Sequence, residues 1–346
     1  MERRSVRFDH LVKMTDDTGI LEHGFGTIPR RNEGYSTDDQ ARALWVCIEW
    51  FKYCSPEDQQ QLERLAEIYI AFLLWAQKDD GHFHNNFAYD RSKESETPSD
   101  DCLGRCLWAC SKAMTAKPAP GFAMVAESIF QKALPQVDHL RYPRGWAYSI
   151  AAFGELQRAG YDIDLTARIQ ELAERLTALY RRNSAPGWSW FEPEITYSNA
   201  VLPWGMLWAH EILSRTDLLD IALTSLDFLI GLSQNEAGQI RPVGSQGWCR
   251  PGFRALWDQQ PIDVMKLAIA AAKAYELTNM HKYKSTVMKC RDWFYGGNDL
   301  GVPMINERDG SCCDGLNADG PNINCGAEAV ISYLLTEAIC EEWIQQ

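Results

Sequence analysis

Acidic side chains stand beside tryptophan, asparagine and arginine at several points along this 346-residue chain. Carboxyl groups can protonate a leaving oxygen and activate a water molecule, which is the chemistry that cleaves a glycosidic bond. Aromatic rings can stack on the C–H faces of a sugar, while amide and guanidinium groups bind pairs of hydroxyls. The combination predicts a sugar site. Four carboxylates are the candidate catalytic acids and bases: Asp101, Asp258, Asp39 and Glu192.

Ten further residues are candidates for binding the sugar, because each brings a ring, an amide or a charge to a segment outside the plain amphipathic stretches. They are His23, Tyr89, Arg91, Trp146, Trp190, Asn199, Trp248, Arg250, Gln259 and Glu328. Other tryptophans fall in the middle of predicted helices and are predicted to be core residues. These are Trp45, Trp75, Trp108, Trp208 and Trp293.

Several of the acids also have a purely structural interpretation. Thr37-Asp38-Asp39-Gln40 fits the S/T-x-x-E/Q capping box, and acids in a first helical turn stabilise a helix by about 0.3–1 kcal/mol. Asp100 and Asp101 likewise fall in a predicted first helical turn and can stabilise it in the same way. Glu192 could be simply solvated. Glu328 lies in an otherwise apolar segment, so it either faces a cavity or needs a buried partner.

The bulk composition narrows the possible partners. A net charge of −13 disfavours nucleic acid and anionic membrane surfaces. No apolar run approaches the length of a membrane span, and no hydrophobic stretch follows the basic N-terminal residues. Eleven cysteines without dense spacing favour a cytoplasmic protein. His82 and His84 lack a third ligand at suitable spacing, and no nucleotide-binding motif is present, so neither a metal nor a cofactor is expected.

The polar clusters precede apolar segments that begin near residues 38, 100, 144, 198, 260 and 325. Amphipathic segments lie between them, at Pro56 to Gln77, Gly121 to Val137, Leu165 to Arg181, Asp217 to Leu232 and Lys282 to Phe294, with Phe8 to Met14 as a short twelfth. This alternation predicts an all-α (α/α)6 toroid forming one domain over residues 1–346. Its inner helices would run parallel, so the preceding loops would gather at one mouth.

With these residues assembled, the chain resembles the six-hairpin glycosidase superfamily, and within it the bacterial glycosyltransferase-associated domains described as glycoside hydrolases. The similar stretches include Gly34 to Leu44, Gly81 to Asn85, Ser99 to Trp108, Asp258 to Pro261 and Asn322 to Glu328. The second motif of that family reads Glu-Asp-Ser-His-Gly-Arg-Ala-Leu-Trp. Here Asp100-Asp101-Cys102-Leu103-Gly104-Arg105-Cys106-Leu107-Trp108 lacks the Ser-His pair but keeps Asp101 and Arg105.

The residues and the resemblance together lead us to expect a glycoside hydrolase that acts on a short oligosaccharide by carboxylate acid/base catalysis, with inversion as the expected outcome. A non-catalytic glycan-binding module, assisting a separate glycosyltransferase, would explain the same aromatic and acidic residues. An epimerase or lyase would need a histidine or tyrosine base, for which His23, Tyr35 and Tyr89 are available.

Overall fold

A computed structural model describes residues 4–116 and 120–344, and this part of the chain contains twelve α-helices. Six are the predicted apolar helices: α2 (Thr37–Trp50), α4 (Asp100–Thr115), α6 (Pro143–Arg158), α8 (Val201–Leu213), α10 (Pro261–Thr278) and α12 (Ala327–Ile344). The other six are α1 (Asp9–Met14), α3 (Pro56–Ala76), α5 (Pro120–Ala133), α7 (Thr166–Asn183), α9 (Thr216–Leu232) and α11 (His281–Phe294).

The apolar helices form a closed inner ring. Each packs on the next in the order α2, α4, α6, α8, α10, α12, and α12 returns to pack on α2. Five outer helices pack on the inner helix that precedes them, and the short α1 covers α12 as the sixth. The structure therefore confirms the (α/α)6 toroid, including the short twelfth helix.

Serine side chains begin three of the helices. Ser36, Ser55 and Ser99 accept hydrogen bonds from backbone N–H groups of the first turns of α2, α3 and α4. The predicted Thr37–Gln40 capping box is wrong by one residue, because Ser36 is the N-cap and its hydroxyl also donates to Asp39. The Gln40 side chain instead bonds to the backbone of Ile20: its Oε1 accepts from the Ile20 N–H, and its Nε2 donates to the Ile20 carbonyl.

Glycines let the inner helices approach closely. A Cβ at Gly205 on α8 would lie 2.7 Å from the Cα of Ala147 on α6. A Cβ at Gly154 on α6 would meet the Trp208 ring at the same distance. Trp45, Trp108, Trp208 and Trp293 are buried as predicted, whereas Trp75 is 42% exposed because it lies on the outward side of α3.

The two ends of the toroid differ in their connections. At the C-terminal ends of the inner helices, α8 joins α9 through residues 214–215 and α10 joins α11 through residues 279–280. At the N-terminal ends the loops are long, at 77–99, 184–200, 233–260 and 295–326.

The strands of the described part lie in loops between helices, as predicted, and pair into five two-stranded antiparallel sheets. They are β1 (Gly24–Phe25), β2 (Ile28–Pro29), β3 (Tyr35–Ser36), β4 (Asn86–Phe87), β5 (Cys249–Arg250), β6 (Phe253–Arg254), β7 (Ile305–Asn306), β8 (Ser311–Cys312), β9 (Gly315–Asn317) and β10 (Gly320–Asn322). Within residues 4–116 and 120–344, no helix has the length and apolarity that crossing a membrane requires.

Candidate active site

A cavity of about 320 Å³ opens at the N-terminal ends of α2 and α12, and we call it the front cavity. Carboxyl groups from four segments line it, together with the guanidinium of Arg42 and the imidazole of His23. The acids are Glu22, Asp38, Asp39, Asp314 and Glu328. The amide side chains of Asn85, Asn86 and Gln260 complete the polar wall. Such a wall can bind several hydroxyl groups at once.

Arg42 joins two of the acids predicted from the sequence. Its Nη1 lies 2.7 Å from Asp39 Oδ1 and 3.1 Å from Glu328 Oε2. The second oxygen of Asp39 accepts from Ser36, so both its oxygens are held inside the protein. Glu328 keeps 41% of its side chain exposed. It therefore has both properties considered for it, a buried partner and a position facing a cavity.

Asp38, in the wall of the front cavity, has one paired oxygen and one buried oxygen without a partner. Its Oδ2 pairs with Arg105 at 2.8 Å, whereas its buried Oδ1 has no hydrogen-bond partner. Burial alone would raise the pKa of Asp38, but the charges of Arg105 and Arg42 outweigh it and hold the pKa below its ordinary value. Asp38 is thus an ionised carboxylate in the wall of the front cavity.

Glu22 is a site residue that the sequence analysis missed. Burial and the negative charges of Asp39 and Asp38 raise the pKa of Glu22 to about 8. Its backbone is fixed between Gly34 and the first residue of α12, since its N–H donates to the Gly34 carbonyl and its carbonyl accepts from the Ala327 N–H. The sequence places Glu22 beside His23, but only the fold brings it to the start of α12.

Asp101 is not part of the front cavity wall, but Arg105 links it to that wall. Arg105 bridges it to Asp38, with Nη2 at 3.3 Å from Asp101 Oδ2. The hydroxyl of Tyr197 donates to the same oxygen at 2.9 Å.

Glu192 and Asn199 lie in the neighbouring polar layer at the starts of α6, α8 and α10. Arg144 contacts Glu192 at 3.2 Å, and its guanidinium lies 4.5 Å from the ring centre of Tyr197. Asn199 donates to Asp263 from both its backbone and its side chain. Burial raises the pKa of Asp263 to about 7.

Asp258 and Gln259 are occupied by contacts within the protein. Asp258 has a left-handed backbone, with φ of 58°, and accepts a hydrogen bond from Ser245. The buried amide of Gln259 donates to Asp299 at 2.7 Å and accepts from Trp293 at 3.2 Å. Neither residue is part of the front cavity wall.

The tryptophans proposed to stack on sugar are likewise absent from the wall of the front cavity. Trp190 is completely buried, which leaves no ring face for a sugar. The indole of Trp146 donates to the Leu140 carbonyl, and its ring lies under Arg175 of α7. Trp248 is half-buried and adopts a left-handed backbone, with φ of 56°.

The remaining candidates lie on exposed loops. The hydroxyl of Tyr89 accepts from Arg31, and Arg91 pairs with Asp17. Arg250 lies 3.8 Å from Glu194. His23 alone of this group reaches the front cavity, where its Nε2 lies 3.7 Å from Glu22. Within residues 4–116 and 120–344, no three histidine, cysteine, aspartate or glutamate side chains are grouped so that they could hold a metal ion.

Comparison with known proteins identifies the fold. No family model and no curated protein sequence matches the chain. A cellobiose 2-epimerase from Bacillus thermoamylovorans superposes with a TM-score of 0.75 at 11% identity, over 99% of this chain and 96% of the other. A sugar epimerase from a ruminal bacterium gives a TM-score of 0.71 at 11% identity, over 96% and 95% of the two chains. A GH76 α-mannanase from Bacteroides thetaiotaomicron gives 0.63 at 7% identity, over 90% and 87%. The chain therefore has the (α/α)6 six-hairpin fold of these three structures.

Proposed function

We propose that the chain is an enzyme acting on carbohydrate and that it hydrolyses a glycosidic bond in the front cavity. The observation that carries the proposal is that Glu22 and Asp38 line one cavity in surroundings that shift their pKa values in opposite directions. Glu22, with a pKa of about 8, is protonated at neutral pH, whereas Asp38 is ionised. Carboxyl pairs with separated pKa values supply the acid and the base of glycoside hydrolysis.

The proposed roles follow from the contacts of each group. Glu22 protonates the leaving oxygen, and the ionised carboxylate of Asp38 accepts a proton from the attacking water. Asp39 and Glu328 hold Arg42 in place, and Arg42 with Arg105 keeps Asp38 ionised. Asp39 is accordingly a positioning residue in this proposal. Water attack with Asp38 as base would invert the anomeric centre.

Neutral replacements test the assignment. Release of monosaccharide from a panel of oligosaccharides would be measured for Glu22→Gln, Asp38→Asn, Asp39→Asn, Asp101→Asn, Glu192→Gln and Asp258→Asn. We expect Glu22→Gln and Asp38→Asn to lower kcat by about 10²–10⁴-fold, the usual contribution of general acid/base catalysis. Asp258→Asn, outside the cavity, serves as the control. Full activity of both Glu22→Gln and Asp38→Asn would refute the roles.

A sugar epimerase is the second candidate, because His23 faces Glu22 in the same cavity and the superposed epimerases match this chain over nearly its whole length. The two functions give different products from cellobiose in deuterated water. Hydrolysis yields two monosaccharides, whereas epimerisation keeps the disaccharide and exchanges the hydrogen next to its carbonyl. Saturable binding of oligosaccharides without either product would support a non-catalytic binding module instead.

A further inference from the structure

A second cavity, of about 310 Å³, opens at the opposite end of the toroid, and we call it the rear cavity. All six inner helices contribute to its wall near their C-terminal ends, so it lies inside the ring. One residue from each helix illustrates this: Glu49, Lys112, Glu155, Trp208, Lys273 and Ile339. The volume is at the lower end of the range for small-molecule sites, about 300–1,000 Å³.

Tryptophans form the deeper part of the rear cavity. The ring of Trp108 contacts those of Trp45, Trp204 and Trp208 edge to face, with centroids 5.3, 4.8 and 6.0 Å apart. Trp343 lines the cavity nearer the end of α12. The rear cavity therefore offers aromatic surface, which the front cavity wall lacks.

Ion pairs line the part of the rear cavity nearer its opening. Lys112 lies 3.0 Å from Glu49 and 3.2 Å from Glu155. Arg158 lies 2.6 Å from Glu155 and 3.0 Å from Glu276. Glu49 and Lys112 each follow a cavity tryptophan by four residues, so they lie about one helical turn, roughly 5–6 Å, closer to the opening. The charges of the wall largely neutralise one another.

Two buried donors in the rear cavity lack acceptors. The indole N–H groups of Trp108 and Trp208 have no hydrogen-bond partner, although both side chains line the cavity and are at most 4% exposed. The indole of Trp45, by contrast, donates to Glu49 at 3.0 Å. A buried donor without a partner costs about 1–3 kcal/mol, so a hydrogen-bond acceptor beside either indole would be stabilising.

These features together restrict the chemistry of a ligand. A charged ligand would have to compete with the ion pairs of the wall. A purely apolar ligand would remove those ion pairs from water and leave the indole donors without an acceptor. A neutral molecule that carries hydroxyl groups and an apolar C–H face meets both demands. We propose that the rear cavity is a second binding site, distinct from the front cavity, and that it takes a neutral monosaccharide.

The test is titration of the full-length protein with glucose, mannose and galactose, followed by tryptophan fluorescence and by calorimetry. We expect a saturable change in tryptophan emission with at least one hexose. Ala272 is a half-buried residue of the rear wall, and Ala272→Phe should fill the cavity and abolish that change while leaving turnover in the front cavity intact. Trp108→Phe and Trp208→Phe keep a ring but remove the donor, and each should weaken binding by about 2–10-fold.

Front-cavity variants provide the matched control. Glu22→Gln and Asp38→Asn should retain the fluorescence change with unaltered affinity, whether or not the protein hydrolyses glycosides. The proposal is overturned if no hexose binds saturably, if the Ala272→Phe protein binds as the wild type does, or if the front-cavity variants abolish the signal. Should Ala272→Phe fail to fold, unchanged affinity in both tryptophan variants overturns it equally.

Discussion

At the scale of single residues, Glu22 controls the pH dependence that we expect. If Glu22 is the acid, kcat/KM should fall as the pH rises above about 8, because the folded protein then loses the proton that the leaving oxygen needs. Glu22→Gln should remove this alkaline limb from the residual activity. The pH profiles of both proteins, measured on the same oligosaccharide, provide the check. An alkaline limb that survives in Glu22→Gln would assign it to another group.

Asp263 allows a separate test through stability. Burial raises its pKa from an ordinary 3.8 to about 7, so the folded state favours the protonated form. Its contribution to stability is complete below about pH 4 and is lost as the pH rises through 7. We expect Asp263→Asn, which keeps an acceptor for Asn199, to match the wild type near pH 4 and to exceed it near pH 8 by on the order of 2–4 kcal/mol. Urea unfolding at the two pH values measures this difference, and an equal effect at both would contradict it.

Part of the candidate site could be predicted from residue types alone. Asp39 and Glu328 each stand at the start of an apolar helix, and the toroid brings such starts to one end. Glu22 carries no comparable signal, because it precedes a two-stranded sheet and reaches the cavity only through backbone contacts with residues 34 and 327. Trp190 is predicted to bind sugar because it lies in a loop, but it is completely buried. A long loop at the N-terminal end of the toroid can fold back into the core, and residue type does not reveal this.

At the scale of elements, glycine spacing sets how closely the inner helices pack. Gly205→Ala should lower the free energy of unfolding by about 1–3 kcal/mol, because its Cβ would overlap Ala147 on α6. Gly231 on the outer helix α9 is the matched control, as nothing lies within 4 Å of a Cβ placed there. Gly231→Ala should stabilise the protein by about 0.4–1 kcal/mol. Denaturant unfolding of both variants tests the pair, and destabilisation by Gly231→Ala would show that the effect is not one of helix packing.

The helices themselves were predictable because their signals are local. Apolar periodicity located the inner and outer helices to within a few residues, and serine caps fixed three of the starts. The register of the first cap was not predictable, because Ser36 and Thr37 are equally suitable residues. A contact distant in sequence decides which of the two residues caps the helix, because the hydroxyl of Thr37 donates to the carbonyl of His84.

At the scale of the whole molecule, contacts between distant parts of the sequence close the ring. The indole of Trp50 on α2 donates to the Leu334 carbonyl on α12, and His10 on α1 bonds the Cys325 carbonyl. The described helices share one core cluster that runs from Phe8 to Cys340. An open ring would expose the apolar faces of both α2 and α12. The helical hairpins that remain in a partly unfolded toroid would therefore contribute little net stability.

We therefore expect the chain to unfold as a single cooperative unit, as one domain over residues 1–346 would. Tryptophan fluorescence and far-UV circular dichroism should give the same midpoint in urea, since tryptophans are spread over α2, α3, α4, α6, α8, α11 and α12. Removing residues 1–14 uncovers α12 and should move both curves together to lower urea. Two separated transitions, or a shift in one probe alone, would show instead that part of the ring is stable without the closure between α12 and α2.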